Sequence, residues 1–291
     1  MRPPRGFLIL LLALAALAGC SGARIAYNNA DTAVRWMADD YFAFEEAQDE
    51  DFRARLARFH AWHRREELPR YGALAAEAGD KLAGGLTQEK LQWAWDSVIA
   101  RYRRMAQQAA PELAAVLARL TPRQYARLER RFADSDAEFG RKHLGGGEQE
   151  QRARRDKRNL ELMREWFGEL SDAQEAQLRD ASAKLPLLYA LRLQNRQRRQ
   201  QEFVALLKAS RGAAELEPRL RRWLADWDEG AAPEYLRLSR LHREQYMQML
   251  LELDRSLAPA QRAYAVARLA AYGDLFAALA GEGKLARATS D

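Results

Sequence analysis

The sequence is poor in the residues that build disulfides, metal centres and covalent active sites. Its 291 residues include one cysteine and four histidines. A single cysteine excludes a disulfide framework and a cysteine-rich zinc module. The chain also lacks a G-x-S-x-G motif and a glycine-rich phosphate loop after a strand, so it offers no nucleophile or nucleotide site. We therefore expect no enzymatic activity, no cofactor and no bound metal.

The sequence also lacks stretches in which β-branched or aromatic residues alternate with polar ones, the pattern of a strand. Hydrophobic residues make up 48% of the chain and charged residues 30%, which excludes wholesale disorder. Alanine, leucine, arginine, glutamate and glutamine dominate, and these residues lose little on becoming helical. The composition therefore predicts an all-α, multi-helix fold with no sheet.

Apolar residues at helical spacing predict helices along the mature chain. The first is expected over roughly 24–44, and the second is expected to end at Pro69. Further helices are predicted near 70–82, 88–108, 111–119, 122–140, 148–168, 172–184, 187–209, 213–228, 233–255 and 259–280. The run Gly145-Gly146-Gly147 is the one clear flexible break. It predicts two helical subdomains, 20–144 and 148–291, which are joined by a linker at 145–147 and share an interface.

The first twenty residues have the pattern of a bacterial export signal that ends at a lipidation site. Two arginines precede an apolar run of twelve residues, Phe7 to Ala18, which is shorter than the roughly 20 residues of a spanning helix. The run leads into Leu17-Ala18-Gly19-Cys20, which looks like the lipobox of bacterial lipoproteins. This resemblance implies removal of residues 1–19, a thioether-linked lipid on Cys20 and acylation of the new amino terminus, with palmitate as the typical chain. The alternative is an ordinary cleaved signal that contains a cysteine.

Lipidation at Cys20 predicts where the protein resides. Ser21 follows it, whereas in such lipoproteins aspartate at that position marks retention in the inner membrane. Several acyl chains on one residue hold a protein firmly to a bilayer. We therefore expect attachment to the periplasmic face of a Gram-negative outer membrane, with membrane lipid as the first partner. Despite a net charge of +6, we expect no nucleic acid partner, but an anionic envelope component or a protein.

Two groups of residues early in the mature chain carry a family resemblance. The first is Tyr27-Asn28-Asn29-Ala30-Asp31, then Trp36 and Asp39-Asp40-Tyr41-Phe42, and the second is His60-Ala61-Trp62-His63-Arg64, then Glu67-Leu68-Pro69 and Tyr71. Together with the lipobox they resemble a family of Gram-negative lipoproteins described only as a domain of unknown function. The resemblance implies a helical lipoprotein and no known activity.

A second resemblance concerns helix starts. Leu120-Thr121-Pro122-Arg123-Gln124 and Leu170-Ser171-Asp172-Ala173-Gln174 are similar to the L-T-x-x-Q motif of periplasmic helical stress chaperones. The alternative, which we favour, is that both are capping boxes. In a capping box a hydroxyl and a glutamine three residues later satisfy backbone amides at the start of any helix.

His60, His63 and Glu67 have the spacing i, i+3, i+7, which places them on one side of a helix. Two imidazoles and a carboxylate could hold a divalent metal. However, His63 lies on the apolar stripe of its helix, and Arg64 and Arg65 would repel a cation. We expect His63 to pack against a buried partner rather than to bind metal.

The charges are unevenly distributed. The segment from Asp31 to Asp51 carries eight acids against one arginine, and Lys184 to Arg211 carries seven cations against one acid. Within the basic segment, three arginines lie on the apolar stripe of their helix: Arg192, Arg196 and Arg199. Burial of three guanidinium groups is costly unless each finds an acid.

Three arrangements of these arginines remain open. They could form buried ion pairs with carboxylates of the acidic segment, for which we nominate Asp39 and Asp40. They could line a wet groove that binds an anionic ligand. The helix could instead break near Asn195 and form a solvated elbow.

Trp36 lies off the apolar stripe of the first helix. Its indole could rest among lipid headgroups or pack on a neighbouring helix, which we favour. The remaining tryptophans are expected to fill the core. Together these features predict a non-enzymatic binding or structural component of the cell envelope. The alternatives are a chaperone-like or envelope-stress factor that binds unfolded or anionic clients, and a cell-wall enzyme or its activator.

Overall fold

The structure is a computed structural model that describes residues 19–288, and describes side chains for residues 22–282. Residues 1–18 of the predicted export signal, and the side chains of Cys20 and Ser21, lie outside the described residues. Within 19–288 the regular structure is helical and contains no strand, which confirms the all-α prediction.

The helices follow one another with short connections. They are α1 (Gly19–Asn28), α2 (Ala30–Phe42), α3 (Glu46–Trp62), α4 (Leu68–Ala83), α5 (Gln88–Leu117), α6 (Pro122–Leu144), α7 (Gly147–Phe167), α8 (Asp172–Lys184), α9 (Tyr189–Ala209), α10 (Ala213–Ala225), α11 (Pro233–Ser256) and α12 (Pro259–Ala288). A π-helical turn, His63–Glu67, joins α3 to α4 without a break.

Two prolines do not end helices where the sequence predicts. The helix expected to stop at Pro69 continues through the π turn, where the amide of Leu68 donates to the carbonyl of His63, five residues back. The hydrogen-bond pattern therefore changes just before the residue that has no amide to donate. Pro111 lies inside α5, so the helices expected at 88–108 and 111–119 are one.

The helix predicted over 24–44 is instead divided at Asn29. The side-chain amide of Asn29 donates to the carbonyl of Ile25 at 2.8 Å, and its backbone leaves the helical region. Asparagine competes in this way with the backbone of its own helix. The division separates α1, which contains the predicted lipidation site Cys20, from α2.

An antiparallel helical hairpin forms the centre of the molecule. Its first arm is α3, the π turn and α4, and its second arm is α5. Phe52 packs with Val116 near one end, and Arg58 donates to Glu112 at 2.9 Å further along. Near the connecting loop, the ammonium of Lys81 lies 4.6 Å from the centre of the Trp93 ring.

Helices from the second half of the sequence complete the core around this hairpin. Leu68 of α4 packs with Leu275 of α12. Ala114 of α5 packs with Leu216 and Leu220 of α10, both fully buried. Each of these clusters draws on both halves, 20–144 and 148–291, which therefore share buried core residues. The division into two subdomains stays a prediction.

The three glycines at 145–147 form a tight corner between α6 and α7 rather than a linker. Gly146 and Gly147 have φ angles of +80° and +70°, a region that side chains disfavour. Arg154 of α7 donates to the carbonyl of Gly145 at 2.7 Å and holds the corner closed. The glycines therefore provide a turn between α6 and α7.

One segment of the described chain, Pro259–Glu282 in α12, is long and apolar enough to cross a membrane by length and composition alone. Only 17% of it is buried. The same segment packs along α4, where a Cβ added at Gly79 would lie 4.0 Å from side-chain atoms of Leu269 and Val266. One apolar face of this segment therefore contacts the rest of the protein.

The shared core makes a prediction about stability. Leu220→Ala should lower the free energy of unfolding by about 2–5 kcal/mol, because it leaves a cavity between α10 and α5. Urea unfolding followed by circular dichroism and by tryptophan fluorescence should show a single transition at lower urea. Leu162→Ala, at a site 36% exposed, should change stability by less than about 1 kcal/mol. Two separate transitions, of which Leu220→Ala shifts only one, would contradict a shared core.

Candidate functional site: a buried glutamate at the π-helical turn

The π-helical turn brings one buried acid into contact with three arginines. Glu67 is fully buried. Its Oε1 accepts hydrogen bonds from Arg104 Nε at 2.6 Å and from Arg70 Nη1 at 3.1 Å. Its Oε2 accepts from Arg101 Nη1 at 3.5 Å. Both arms of the central hairpin therefore converge on one carboxylate.

Local structure explains why Glu67 points inward. A π-helical turn holds one more residue than an α-helical turn, so it rotates the following side chains around the helix. Pro69 stands directly after the turn and removes a backbone donor. Turns of this kind occur often at functional sites. Here the turn places an acid, rather than an apolar side chain, against α5.

His63 lies at the start of the same turn and is held by two tyrosines. Its Nδ1 is 2.9 Å from the hydroxyl of Tyr27, and its Nε2 is 3.3 Å from the hydroxyl of Tyr71. The Tyr71 hydroxyl also donates to the sulfur of Met105. Burial lowers the pKa of His63 to about 4 and raises the pKa of Tyr71 to about 12. The imidazole is therefore neutral at pH 7.

The structure does not bring His60, His63 and Glu67 together as a metal site. Both ring nitrogens of His63 face tyrosine hydroxyls, Glu67 faces arginines, and the ring of His60 packs on Tyr27 at 4.8 Å. In the part of the chain that the structure describes, no three acid, histidine or cysteine side chains are grouped to hold a metal ion. His63 packs against polar partners, as the apolar stripe predicts.

The two sequence motifs of the family resemblance meet at this turn. Tyr27 of the first motif contacts His63 of the second, and the Arg64 guanidinium donates to Asn28 Oδ1 at 2.7 Å. Trp62 lies near Arg104, whose guanidinium carbon is 5.9 Å from the ring centre. The motifs are therefore parts of one contact between α1 and the central hairpin.

Other residues of the first motif serve elsewhere. Asn29 divides α1 from α2, and Tyr41 packs edge-on against Phe132 of α6 at 5.8 Å. Trp36 is 54% exposed. Packing on a neighbouring helix and contact with lipid headgroups both stay predictions for Trp36, because a half-exposed indole is compatible with either.

The three arginines of the basic helix take different positions. α9 is continuous from Tyr189 to Ala209, so the solvated elbow near Asn195 is wrong. Arg192 is exposed. Arg196 Nε donates to Asp136 of α6 at 2.7 Å, and Arg199 donates to the carbonyl of Trp223 at 2.7 Å. The three therefore do not form one groove.

The nominated acids Asp39 and Asp40 pair with a different helix. Asp40 accepts from Arg131 of α6 at 2.7 Å, and Arg131 is only 7% exposed. Arg127 donates to the backbone carbonyls of both acids. The predicted pairing with α9 is wrong because α2 packs on α6.

Burial lowers the pKa of Arg199. Among the contacts described for its guanidinium, no carboxylate lies within hydrogen-bonding distance. Its guanidinium instead lies 4.2 Å from the centre of the Trp223 ring. A guanidinium stacked on an indole is attracted to the face of the ring, and this attraction offsets part of the cost of burying the cation without a carboxylate. Sequence periodicity correctly placed this arginine on an inner face, but could not show that its partner is aromatic.

Both L-T-x-x-Q-like segments are capping boxes. The side chains of Thr121 and Ser171 accept from the amides of Gln124 and Gln174, and both glutamines reach back to the cap amides. The glutamines also join helices, since Gln124 Nε2 donates to Gln48 at 2.7 Å. This confirms the helix-start interpretation, and the chaperone resemblance gains no independent support.

A groove of about 540 Å³ opens between α5 and the region where α10 ends and α11 begins. It is lined by Trp95, Asp96, Arg103, Asp226, Trp227 and Arg243, among others. The guanidinium of Arg243 lies 5.2 Å from the centre of the Trp95 ring. The sequence analysis did not predict this groove, because it assigned Trp95 and Trp227 to the core. The spacing of Trp93 and Trp95 was a usable signal, since residues two apart point in different directions on a helix.

These features define an all-α, multi-helix protein with a buried glutamate–arginine cluster at a π-helical turn and a tryptophan-lined groove beside its central hairpin. The chain belongs to the Family of unknown function (DUF6279), whose family model matches residues 40–236. That range contains the π turn and most of the groove. Comparisons with curated proteins and with solved structures give no match.

The neutral state of His63 predicts a pH dependence of stability. Its folded pKa of about 4 lies below its ordinary value of 6.5, so protonation favours the unfolded chain. The stabilisation is complete above about pH 6.5 and is lost as the pH falls towards 4. His242, whose pKa burial also lowers to about 4, adds a loss of the same sign.

His63→Gln should lower stability at pH 7 by about 1 kcal/mol, through weakened hydrogen bonds to tyrosine, and should reduce the further loss between pH 6.5 and 4. Urea unfolding of variant and wild type at several pH values measures the difference. His242→Gln should flatten the same pH interval without affecting the contacts of Tyr27. An unchanged pH profile in His63→Gln would mean that the imidazole is not buried neutral.

Proposed function

We propose that this protein is a lipoprotein attached through Cys20 to the periplasmic face of the outer membrane, where it acts as a binding or structural component of the envelope. The observation that carries the proposal is the run Leu17-Ala18-Gly19-Cys20, which places the predicted lipidation site within the described part of α1. A bilayer anchored there would lie directly against the protein.

Contacts along α1 support this arrangement. Arg24 and Asn28 both bond to Glu282 of α12, and Tyr27 bonds to His63. Because an α-helix rises 1.5 Å per residue, Tyr27 lies only about 10 Å along the helix from Cys20. A lipid at residue 20 would thus be joined to the core through a short, held helix.

The groove supports a binding role. Trp95 and Trp227 offer indole faces, while Arg103, Arg243 and Asp226 offer charges of both signs. A concave surface of this volume with aromatic walls and a few polar groups suits a small or extended ligand. The residues that line it include no histidine, cysteine, serine or lysine, and we propose binding without catalysis.

The chaperone-like alternative would need a broad apolar concave face. The most exposed apolar side chains, Ile25, Val98 and Trp36, lie on three different helices. The lining of the groove is also strongly charged. The geometry therefore favours recognition of a defined partner over the holding of unfolded chains.

Lipidation can be tested by replacing the sulfur of Cys20. In a Gram-negative host fed labelled palmitate, the wild-type protein should carry label and fractionate with the outer membrane. Cys20→Ser should lose the label and the membrane association, because it removes the sulfur that forms the thioether. Ser21→Asp should keep the label and move the protein to the inner membrane. An unlabelled wild-type protein in the cytosol would overturn the proposal.

Binding at the groove makes a separate prediction. Trp95→Ala should abolish co-purification of a partner that the lipidated wild-type protein retains, while leaving the thermal unfolding midpoint nearly unchanged, since Trp95 is 39% exposed. Val98→Ala, one turn away on α5 and 58% exposed, is the matched control. Equal retention by wild type, Trp95→Ala and Val98→Ala would remove the groove from the proposed function.

A further inference from the structure

More positive charge surrounds Glu67 than its burial requires. One guanidinium is enough to neutralise one carboxylate, yet Arg70, Arg101 and Arg104 all approach it within 3.5 Å. Like charges held this close repel one another. The cluster therefore carries an excess of positive charge that a purely structural ion pair would not need.

The neighbouring acid does not remove this excess. Glu66 pairs with Arg65 at 2.9 Å and lies 4.0 Å from Arg70. Four arginines thus contact Glu66 or Glu67, and Arg64 of the same turn is paired with Glu282 at 3.6 Å. The local charge is +2, and Glu67 at its centre is buried, whereas the four arginines and Glu66 are partly in solvent.

The arginines have hydrogen-bonding capacity to spare. Each guanidinium carries five N–H donors, and Arg70, Arg101 and Arg104 each contact Glu67 through one nitrogen. Their side chains are 42%, 28% and 41% exposed. The remaining donors are available to a ligand, and contact with Glu67 limits the side-chain freedom that binding would otherwise have to remove.

We propose that Arg70, Arg101 and Arg104 bind the phosphate group of an anionic ligand, and that Glu67 is the positioning residue that holds the three guanidinium groups in place. Three guanidinium groups held beside one another by Glu67 suit a tetrahedral oxyanion, which can accept hydrogen bonds from the N–H groups that Glu67 does not use. Bound phosphate would also cancel the excess charge of the cluster.

The phosphate could belong to a lipid headgroup or to a soluble molecule. The cluster lies one helical turn from His63, which contacts Tyr27 of α1, so a headgroup would be within reach if Cys20 is anchored as proposed above. Only the lipid source rests on that proposed function. Binding of free phosphate does not depend on it.

The test uses the mature chain with Cys20→Ser, so that the anchor itself cannot bind a bilayer. Calorimetry measures binding of inorganic phosphate, and co-sedimentation measures binding to vesicles of phosphatidylglycerol in phosphatidylcholine, with pure phosphatidylcholine vesicles as reference. Arg101→Gln combined with Arg104→Gln should weaken binding by about thirtyfold, as expected for the loss of two arginines at an anionic surface.

The chain offers a matched control on the same hairpin. Arg55 and Arg58 both donate to Glu112, Asp51 pairs with Arg55, and Arg119 lies 3.4 Å from Asp51, so the charge of that cluster is +1 rather than +2. Arg55→Gln combined with Arg58→Gln removes the same charge from the other arm of the hairpin, α3, and should leave phosphate and vesicle binding little changed.

Each outcome decides the matter. If the Arg101/Arg104 double variant loses vesicle binding and the Arg55/Arg58 control keeps it, the site binds lipid headgroups. If the starting protein binds phosphate but no vesicles, and only the Arg101/Arg104 double variant loses phosphate binding, the site takes a soluble ligand. Equal loss in both double variants, or no binding of phosphate or vesicles by the starting protein, would overturn the proposal.

A milder variant guards against unfolding. The Arg101/Arg104 double variant leaves Glu67 with a single arginine and could destabilise the turn. Arg70→Gln leaves Glu67 with two arginines and should weaken binding by about fivefold. Its control is Arg58→Gln, which leaves Glu112 with Arg55. Unchanged binding in Arg70→Gln, with the double variant unfolded, would also count against the site.

Discussion

A buried carboxylate must be paired, and in this protein that requirement organises the centre of the molecule. Glu67 faces the core because the π turn rotates it there, and its charge can be kept only if arginines from α4 and α5 meet it. The same turn presents His63 to Tyr27 and Tyr71, and so fixes α1 against the hairpin. One local irregularity of the helix thereby joins the start of the folded chain to its middle.

Local signals in the sequence predicted most of the helices because they report local chemistry. Thr121 and Ser171 are cap residues whose hydroxyls bond within their own turns, and α6 and α8 begin directly after them. Pro69 and Pro111 misled the prediction because tertiary packing outweighs their local cost. Ala110 and Ala114, on either side of Pro111, are almost fully buried and hold that stretch of α5 in place.

The partners of charged residues could not be predicted in the same way. With 47 basic and 41 acidic side chains, nearly every carboxylate has several plausible cations. Asp40 pairs with Arg131, and Glu67 pairs with Arg101 and Arg104, at separations in sequence that no periodicity marks. The apolar stripe correctly predicts that His63 packs within the protein, because the stripe is a local signal. The identity of its tyrosine partners depends on how α1 and α4 pack, which is not local.

The short path from residue 20 to the core has a mechanical consequence. A protein tied to its anchor by a loose segment feels no strain when that anchor moves, whereas a pull at Cys20, if it is lipidated as proposed above, would pass along helix α1 to the Tyr27–His63 contact. Any machinery that lifts the amino terminus out of a bilayer would therefore load the fold directly. That force would reach the centre of the hairpin through the Tyr27–His63 contact.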